Sequence, residues 1–276
     1  MCGFLICMPG RAQTGVNAPG KYAPEFSVKN CFLAFKYEES FKPDTLKPND
    51  ILKGQRIWRS VSIDNNMNAA LLNSGSACTA VGLFEIIKFG LLEKQLNAFA
   101  SDDFVKPAAS VLSRTEIIKA LSYTDSSTVV TFDAHGEQTQ QASVTKRYIM
   151  GSDIKSYLLK EDWIINSRSG KTEKYVIAIA PLIYDAEKEM ALPLFWLYYP
   201  EWQSLFSCFE AKNFYSHEDI SFDDIFKRKY FISQIDKESN VFDRGIKSAN
   251  HGRDAYLESE LIREKMSNAE SDLFQH

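Results

Sequence analysis

The feature that most constrains the fold of this chain is the aromatic run LPLFWLYYPEW, from Leu192 to Trp202. It contains five aromatic residues, and each aromatic side chain buries roughly 150 to 250 Å² when it packs. A second apolar run, YVIAIAPLIY, extends from Tyr175 to Tyr184. Both runs are shorter than the about 20 apolar residues of a membrane-spanning helix, and Pro193 and Pro200 would interrupt a helix. We therefore predict no transmembrane segment here, and the rings serve a core, a ligand or a partner.

Three apolar runs in the second half of the chain predict a three-stranded antiparallel meander. They cover residues 157–165, 173–184 and 191–199, and the segments NSRSG and DAEKEM between them are suited to turns. Successive side chains of a strand point to opposite faces of its sheet. One face of the third strand would carry Leu192, Leu194, Trp196 and Tyr198, and the other Phe195, Leu197 and Tyr199. Both faces of this strand therefore need cover.

Helical patterns lie on both sides of the meander. A stripe of apolar residues from Leu83 to Ile87 predicts a helix with Gly90 at its C′ position. Ser113 and Glu116 fit a capping box, in which the two side chains satisfy otherwise unpaired amides at the start of a second helix. Two further helices are predicted at 221–233 and 253–274. The apolar residues of the last helix are Leu257, Leu261, Ile262, Met266, Ala269 and Leu273.

These elements predict an α+β fold. We expect a helical N-terminal lobe (53–145) and an antiparallel β-meander lobe flanked by helices (146–276), the latter ending in the long amphipathic helix. The first lobe opens with a brief alternation of apolar residues between Ile57 and Ile63. The polar residues 125–141 are expected to form a loop or a weak hairpin between the lobes.

The N-terminal residues 1–12 have the composition of a curtailed export signal. An apolar piece, Gly3 to Met8, is followed by Gly10 and Ala12 in the spacing of a small-residue cleavage site. A basic n-region is missing and the apolar core is short, so we predict that translation starts further upstream; an ordinary N-terminus is the alternative. Residues 13–52 are rich in Pro, Asn, Lys and Gly, and we expect them to be extended and to lie over another surface.

Charge and motifs argue against several classes of function. A formal net charge of −4 is unlike the basic footprint of a nucleic-acid-binding domain. The sequence has no zinc-protease, nucleophile-elbow, phosphate-loop or dinucleotide-binding signature. Each of its four histidines lies in a predicted loop or at a chain end. We therefore predict no catalytic residue, no metal and no cofactor.

Three polar clusters each have two interpretations. Lys227–Lys229 is either a solvated helix face, which we favour, or an anion site. Carboxylates between His217 and Asp224 could bind a metal, but capping and the helix dipole explain carboxylates at a helix N-terminus. In the segment KESNVFDRGI, from Lys237 to Ile246, Asp243 and Arg244 could bind an anion or assist acid–base chemistry. We favour the alternative, a charge pair that ties this connector down.

Seven motifs follow one another in a specific order along most of residues 55–274. They are LFEIIKFG (83–90), SDDF (101–104), DIKSYLLKEDW (153–163), VIAIAPLI (176–183), LFWLYYPE (194–201), KESNVFDRGI (237–246) and ESELIREKMSNAESDLF (258–274). The ordered set resembles the GldN/PorN family of gliding-motility and type IX secretion proteins. No single motif is specific, and the likeness is strongest in the second lobe.

The resemblance implies a non-enzymatic, periplasmic protein at the outer membrane. Family members assemble with a GldK/PorK-like outer-membrane lipoprotein into a large ring, and they are expected to meet the periplasmic domain of a GldM/PorM-like motor protein. The curtailed leader departs from the family pattern and puts the export signal in doubt. Two other classes stay open: an exported hydrolase with an unrecognised carboxylate pair, and a periplasmic ligand-binding module.

A ring subunit needs two different surfaces that complement each other, because head-to-tail contacts close a ring. We consider the N-terminal segment, the doubly apolar strand and the terminal helix as such surfaces, since Trp, Tyr and Arg commonly anchor contacts. For each aromatic residue alone, core packing is the favoured alternative. Trp202 is the best single candidate for an anchor, and we expect its truncation to weaken partner binding without unfolding the monomer. The candidate partner-binding residues are Trp163, Trp196, Tyr199, Trp202, Asp243 and Arg244.

Overall fold

A computed structural model describes residues 51–72, 82–104, 110–132, 138–185, 188–211, 220–239, 245 and 253–273. The strands are β1 (Ile51–Ser62), β2 (Ser122–Phe132), β3 (Gln138–Tyr148), β4 (Ile154–Asn166), β5 (Thr172–Asp185), β6 (Met190–Pro193), β7 (Leu197–Tyr198), β8 (Glu210–Ala211), β9 (Ile220–Ser221) and β10 (Gln234–Glu238). The helices are α1 (Ala69–Leu72), α2 (Leu83–Leu92), α3 (Arg114–Ala120), α4 (Tyr199–Ser207), α5 (Phe222–Arg228) and α6 (Arg253–Leu273). Short 3-10 turns occupy Asn66–Asn68 and Gly151–Asp153. The predicted α+β fold is confirmed.

The main sheet is antiparallel, with strand order β10-β1-β4-β5-β6 and with β7 also paired to β5. The first two predicted strands of the meander are β4 and β5. The third predicted strand, 191–199, is divided into β6 and β7, and α4 begins at Tyr199. Pro200 lies in the first turn of α4, where a missing N–H leaves no helical hydrogen bond unmade. The aromatic run is therefore part strand and part helix.

Strand β1 comes from the predicted N-terminal lobe but lies between β10 and β4 in the main sheet. Its alternation buries Ile57, Arg59 and Val61. The main hydrophobic core contains residues from both predicted lobes, for example Leu83 and Phe206. The regions 53–145 and 146–276 thus both contribute to the main sheet and to the main core.

Strands β2 and β3 form a separate two-stranded ribbon of 11 residues a side. It is in continuous register from Ser122, which faces Tyr148, to Phe132, which faces Gln138. The hairpin predicted as one alternative for residues 125–141 is confirmed, and it is longer than the polar sequence suggested.

Helix α2 continues through Gly90 to Leu92, so the prediction that Gly90 lies at C′ is wrong. A Cβ at Gly90 would lie 2.3 Å from the ring of Trp202. Glycine is therefore required at this position by the close approach of two helices rather than by a chain reversal.

The capping box that begins α3 is confirmed. The backbone N–H of Ser113 donates to Glu116 Oε2 at 2.7 Å, and Ser113 Oγ accepts from the backbone N–H of Glu116 at 3.4 Å. The side-chain bonds satisfy N–H groups that have no partner within the first turn of a helix.

Helix α6 matches the predicted terminal helix, but two of its predicted apolar residues do not pack inward. Ser259 and Ile262 are buried against the sheet, whereas Leu257 and Leu261 are 47% and 60% exposed. Each leucine is two residues from Ser259, which is about 160° around the helix. Among the described residues, no helix has the length and apolar content to span a membrane. The predicted signal, 1–12, and residues 13–50 lie outside the described residues.

Candidate functional site

Trp202, the predicted interface anchor, lies in the interior of the protein with none of its surface exposed. Its indole N–H donates to the carbonyl of Asn97 at 3.0 Å, and its ring centroid is 5.8 Å from that of Phe206. Trp202 does leave the strand as predicted, but α4 directs it inward because Tyr199, Trp202 and Phe206 share one helix face. Trp202 is therefore a core residue of the monomer, where its ring fills the space above Gly90, and its role as an interface anchor stays a prediction.

Tyr199 brings a polar group into the same core. Its hydroxyl donates to Asp223 Oδ1 at 2.8 Å, and Gln203 Nε2 donates to Asp223 Oδ2 at 3.3 Å. Burial, and then the nearby charge of Asp223, raises the pKa of Tyr199 well above its usual value. Asp223 also pairs with the exposed Lys227 at 2.8 Å. The tyrosine thus stays a neutral hydrogen-bond donor that ties α4 to α5.

Trp196 lies on the opposite face of the sheet. It packs with Phe99, Ala178 and Ala180 in a second apolar cluster, to which the partly buried Tyr198 also belongs. Trp196 and Phe99 exchange two backbone hydrogen bonds, each 2.8 Å. Phe195, Leu197 and Tyr199 belong to the main core, and Leu194 packs against it rather than on the Trp196 face as predicted. The prediction that this run needs cover on both faces is confirmed.

A buried group of charges surrounds Glu161, which is 0% exposed in the centre of β4. Lys229 Nζ lies 2.5 Å from Glu161 Oε1, and Arg59 Nη1 lies 3.7 Å from Glu161 Oε2. The indole N–H of Trp163 donates to the same Oε2 at 2.7 Å. We call Glu161, Lys229, Arg59 and Trp163 the Glu161 cluster.

The cluster keeps its members charged against the effect of burial. Burial acts to raise the pKa of Glu161, but Lys229 and Arg59 outweigh it, so the pKa of Glu161 is lowered. Burial lowers the pKa of Lys229 and of Arg59, and Glu161 opposes that change in both. A buried charge without partners would cost several kcal/mol. The carboxylate is therefore the group on which both cations depend.

The ring of Trp163 makes further contacts with Arg59 and with another cation, Lys174. The guanidinium of Arg59 lies 5.3 Å from the ring centroid of Trp163, and Lys174 Nζ lies 4.2 Å from it. Such cation–π contacts are favourable by about 0.5 to 2 kcal/mol. Arg59 Nε has no hydrogen-bond partner among the described residues, so the stacking partly replaces a missing bond. The arrangement joins β1, β4 and the end of α5, and it resembles a structural tie more than a reaction centre.

A second buried ion pair lies on α2, whose residues are buried all around the helix. Glu85 Oε1 accepts from the backbone N–H of Gly151 at 3.2 Å and lies 3.4 Å from Lys88 Nζ. The sequence predicted a single apolar stripe for this helix and therefore missed the pair.

The three polar clusters of the sequence are only partly described. Asp224 forms the capping box of α5 with Ser221, which confirms capping as the explanation for this carboxylate. Lys227 and Arg228 pair with Asp223 and Asp224 on the helix surface, whereas Lys229 turns inward to Glu161. The solvated-face interpretation thus holds for two of the three cations.

The remaining members of those clusters, His217–Asp219, Asp243 and Arg244, lie outside the described residues. Within the described part of the chain, no group of three or more His, Cys, Asp or Glu side chains is placed to hold a metal ion.

Of the predicted partner-binding residues, Trp163, Trp196, Tyr199 and Trp202 are all buried. Their contacts belong to the interior of the monomer, and partner binding by this set stays a prediction. Sequence reasoning missed Glu161 and Arg59. The alternation of side chains along a strand could have identified them as inward-facing, because in both cases the residues at i±2 are apolar.

One protein-family model matches residues 46–275 of the chain, and its description is gliding motility associated protein GldN. Comparison with curated proteins gives no match. The matched range begins five residues before β1 and extends past the end of α6, so it includes all of the described secondary structure.

Proposed function

Because the chain belongs to the GldN family of gliding motility-associated proteins, we propose that it is a structural subunit of a periplasmic ring in the type IX secretion and gliding machinery. In this role it assembles with a GldK/PorK-like outer-membrane lipoprotein and contacts the periplasmic domain of a GldM/PorM-like motor protein. The observation that carries the proposal is the family match over residues 46–275.

The interior of the protein is compatible with a subunit that transmits force. Two buried polar ties, the Glu161 cluster and the Tyr199–Asp223 hydrogen bond, connect different helices to the sheet and to each other. Such ties favour one arrangement of the elements, since a displaced partner would leave a buried charge or polar group unpaired. A ring that transmits force needs subunits that keep their shape.

Exposed apolar side chains provide candidate contact areas. The large exposed ones include Tyr184 and Met190 at the end of β5 and in β6, Tyr230 and Ile232 after α5, and Tyr256, Leu257 and Leu261 on α6. Scattered exposed apolar residues are ordinary on a monomer, whereas contiguous ones commonly mark interfaces. The proposal requires some of these residues to become buried on assembly.

Co-expression with a GldK/PorK-like lipoprotein from the same genome tests the proposal. We expect the two chains to co-purify through a tag on the lipoprotein and to form large, ring-shaped particles by electron microscopy. A second outer-membrane lipoprotein of unrelated family is the control for nonspecific capture. Two chains that elute separately, with this chain a folded monomer, would contradict the proposal.

A further inference from the structure

Helix α6 is apolar on two sides. One side holds it to the sheet, because Ile262 is buried and Ser259 Oγ accepts from the backbone N–H of Ile235 at 3.1 Å. On the other side, Leu257 and Leu261 are 47% and 60% exposed, and their spacing of four residues places them next to each other on one helix face. One apolar stripe is enough to hold a helix to a sheet. The second stripe, which we call the outward face of α6, therefore indicates a second packing partner.

Charged residues occupy every position next to the two leucines on the helix surface. Neighbours on this surface are three or four residues apart, which for Leu257 and Leu261 gives, besides the leucines themselves, Arg253, Asp254, Glu258, Glu260, Glu264 and Lys265. The two bases lie at the ends of this set, and the four acids lie between them. Glu260 pairs with Arg263 at 2.6 Å, and Lys265 lies 3.9 Å from Glu238. The exposed Asp254 and Glu264 therefore make the outward face acidic.

This charge pattern disfavours a second copy of α6 as the partner. An antiparallel pair of helices that sets Leu257 against Leu261 is symmetric about Ser259. The charged positions are then opposed as Arg253 to Lys265, Asp254 to Glu264 and Glu258 to Glu260. Every opposed pair has like charges, and a parallel pair in register likewise sets each charge against its own copy. Because like charges act against a contact, the complementary partner is a helix that brings basic residues to the acids.

We propose that the outward face of α6 is the docking site for a basic amphipathic helix of another protein. The apolar residues of that helix pack on Leu257 and Leu261, and its Lys or Arg side chains lie opposite Asp254 and Glu264. At a seam of this kind the apolar residues supply affinity, and the flanking charges select the partner and its orientation. The inference goes beyond the proposed function, since it defines a partner by its chemistry and holds for a partner inside or outside the ring.

Two synthetic peptides test the site in the full-length chain. Both are alanine-based, about 20 residues long so that they form a helix, and carry two leucines at the spacing of Leu257 and Leu261. One has lysines and the other has glutamates at the positions that flank the leucines. We expect the lysine peptide to bind more tightly by about tenfold or more, measured by fluorescence anisotropy. Equal affinities, or no binding of the lysine peptide, would overturn the proposal.

The double variant Leu257→Ser with Leu261→Ser separates the docking site from general attraction to an acidic protein. It keeps every charge of the chain, and we expect it to weaken binding of the lysine peptide by about tenfold or more. The control is Met190→Ser, which replaces a side chain of similar exposure, 51%, on β6, and it should bind the peptide as wild type does. A lysine peptide that binds the double variant as tightly as wild type would be held by charge alone, which would overturn the proposal.

Reversal of one acid tests the charge selection. Glu264→Lys should weaken binding of the lysine peptide and strengthen binding of the glutamate peptide, because the new charge faces the flanks of the bound helix. Asp64→Lys makes the same change of net charge at an exposed residue outside α6, and it should affect both peptides clearly less. Equal effects of the two variants would show that only the total charge matters, contrary to the proposal.

A photo-crosslinking residue identifies the natural partner. The full-length chain with benzoylphenylalanine in place of Leu257 is expressed in its native cells, and the crosslinked peptides are sequenced by mass spectrometry. We expect the crosslink on a segment of another protein in which Lys or Arg residues lie three or four positions from the crosslinked residue. A crosslink to a second copy of this chain, a crosslink to a segment without such residues, or no crosslink would overturn the docking site. If rings form with the lipoprotein but this crosslink fails, the docking site alone is wrong, whereas a docking site that passes these tests without ring formation leaves the proposed function alone wrong.

Discussion

Two junctions between elements of this protein depend on different interactions. Where α2 meets α4, Gly90 lies directly against the ring of Trp202, and a single added carbon would lie 2.3 Å from that ring. Where the end of α5 meets the sheet, Lys229 and Arg59 surround Glu161. The first junction depends on shape, and the second depends on charge.

The difference teaches which changes each junction tolerates. An apolar junction loses stability in proportion to the contacts removed and the cavity left. At a junction of buried charges, the loss of stability depends on which charges are left unpaired, because removal of one partner leaves another charge without compensation. The contribution of the apolar junction to stability should therefore not depend on pH, whereas the contribution of the charged junction should. The predictions below separate the two.

The largest expected effect follows from Trp202→Ala, which empties the apolar junction and leaves the carbonyl of Asn97 without its indole donor. We expect a loss of about 3 to 5 kcal/mol in the free energy of unfolding, measured by urea denaturation. Trp202→Phe, which keeps most of the ring, should lose clearly less. The exposed Leu261→Ala is a matched control and should change stability by no more than about 0.5 kcal/mol. If Trp202→Ala has wild-type stability, Trp202 does not stabilise the core, and the interface role predicted from the sequence is favoured instead.

Glu161→Ala should cost slightly less, about 3 kcal/mol, at the lower end of the effect for a broken buried ion pair. The lower end applies because the Lys229 side chain is 21% exposed and its ammonium can reach water. The double variant Glu161→Leu with Lys229→Met removes the carboxylate together with one of its two cations, so only Arg59 is left without its carboxylate partner, and it should recover part of the loss. If the double variant loses more stability than Glu161→Leu and Lys229→Met lose together as single variants, charge balance is not the cause.

The sequence predicted the secondary-structure elements better than it predicted the contacts between them. Strands β4 and β5 and helix α6 follow from periodicity, and the capping box of α3 follows from local chemistry at Ser113. Gly90 was placed at a helix end because glycine is common there, whereas its function comes from a ring 112 positions later in the chain. Inward packing of Trp202 likewise depends on where α4 begins, which a pattern of aromatic residues does not define.

The charged junction was missed for a related reason. A buried charge is recognisable only when its partners are known, and those of Glu161 come from β1 and from the residue after α5. Lys229 adopts a left-handed backbone conformation with φ 59°. This reversal separates it from Lys227 and Arg228, although the three are consecutive in the sequence. Charge clusters in a sequence therefore need not act together in the fold.

The smallest expected effect, and the sharpest distinction between the two junctions, is a change in how the stability depends on pH in acid. The pKa of Glu161 is lowered in the folded protein, mainly because Lys229 and Arg59 outweigh the effect of burial. A carboxyl with a lowered folded pKa stabilises the protein at pH values above its unfolded pKa, about 4.3, and this contribution is lost as the pH falls through the folded value. Glu161→Gln should thus unfold with a shallower dependence on pH below about 4.3 than wild type, whereas Trp202→Phe should keep the wild-type dependence. Equal slopes for wild type and Glu161→Gln would show that the carboxylate is not stabilised by its two cations.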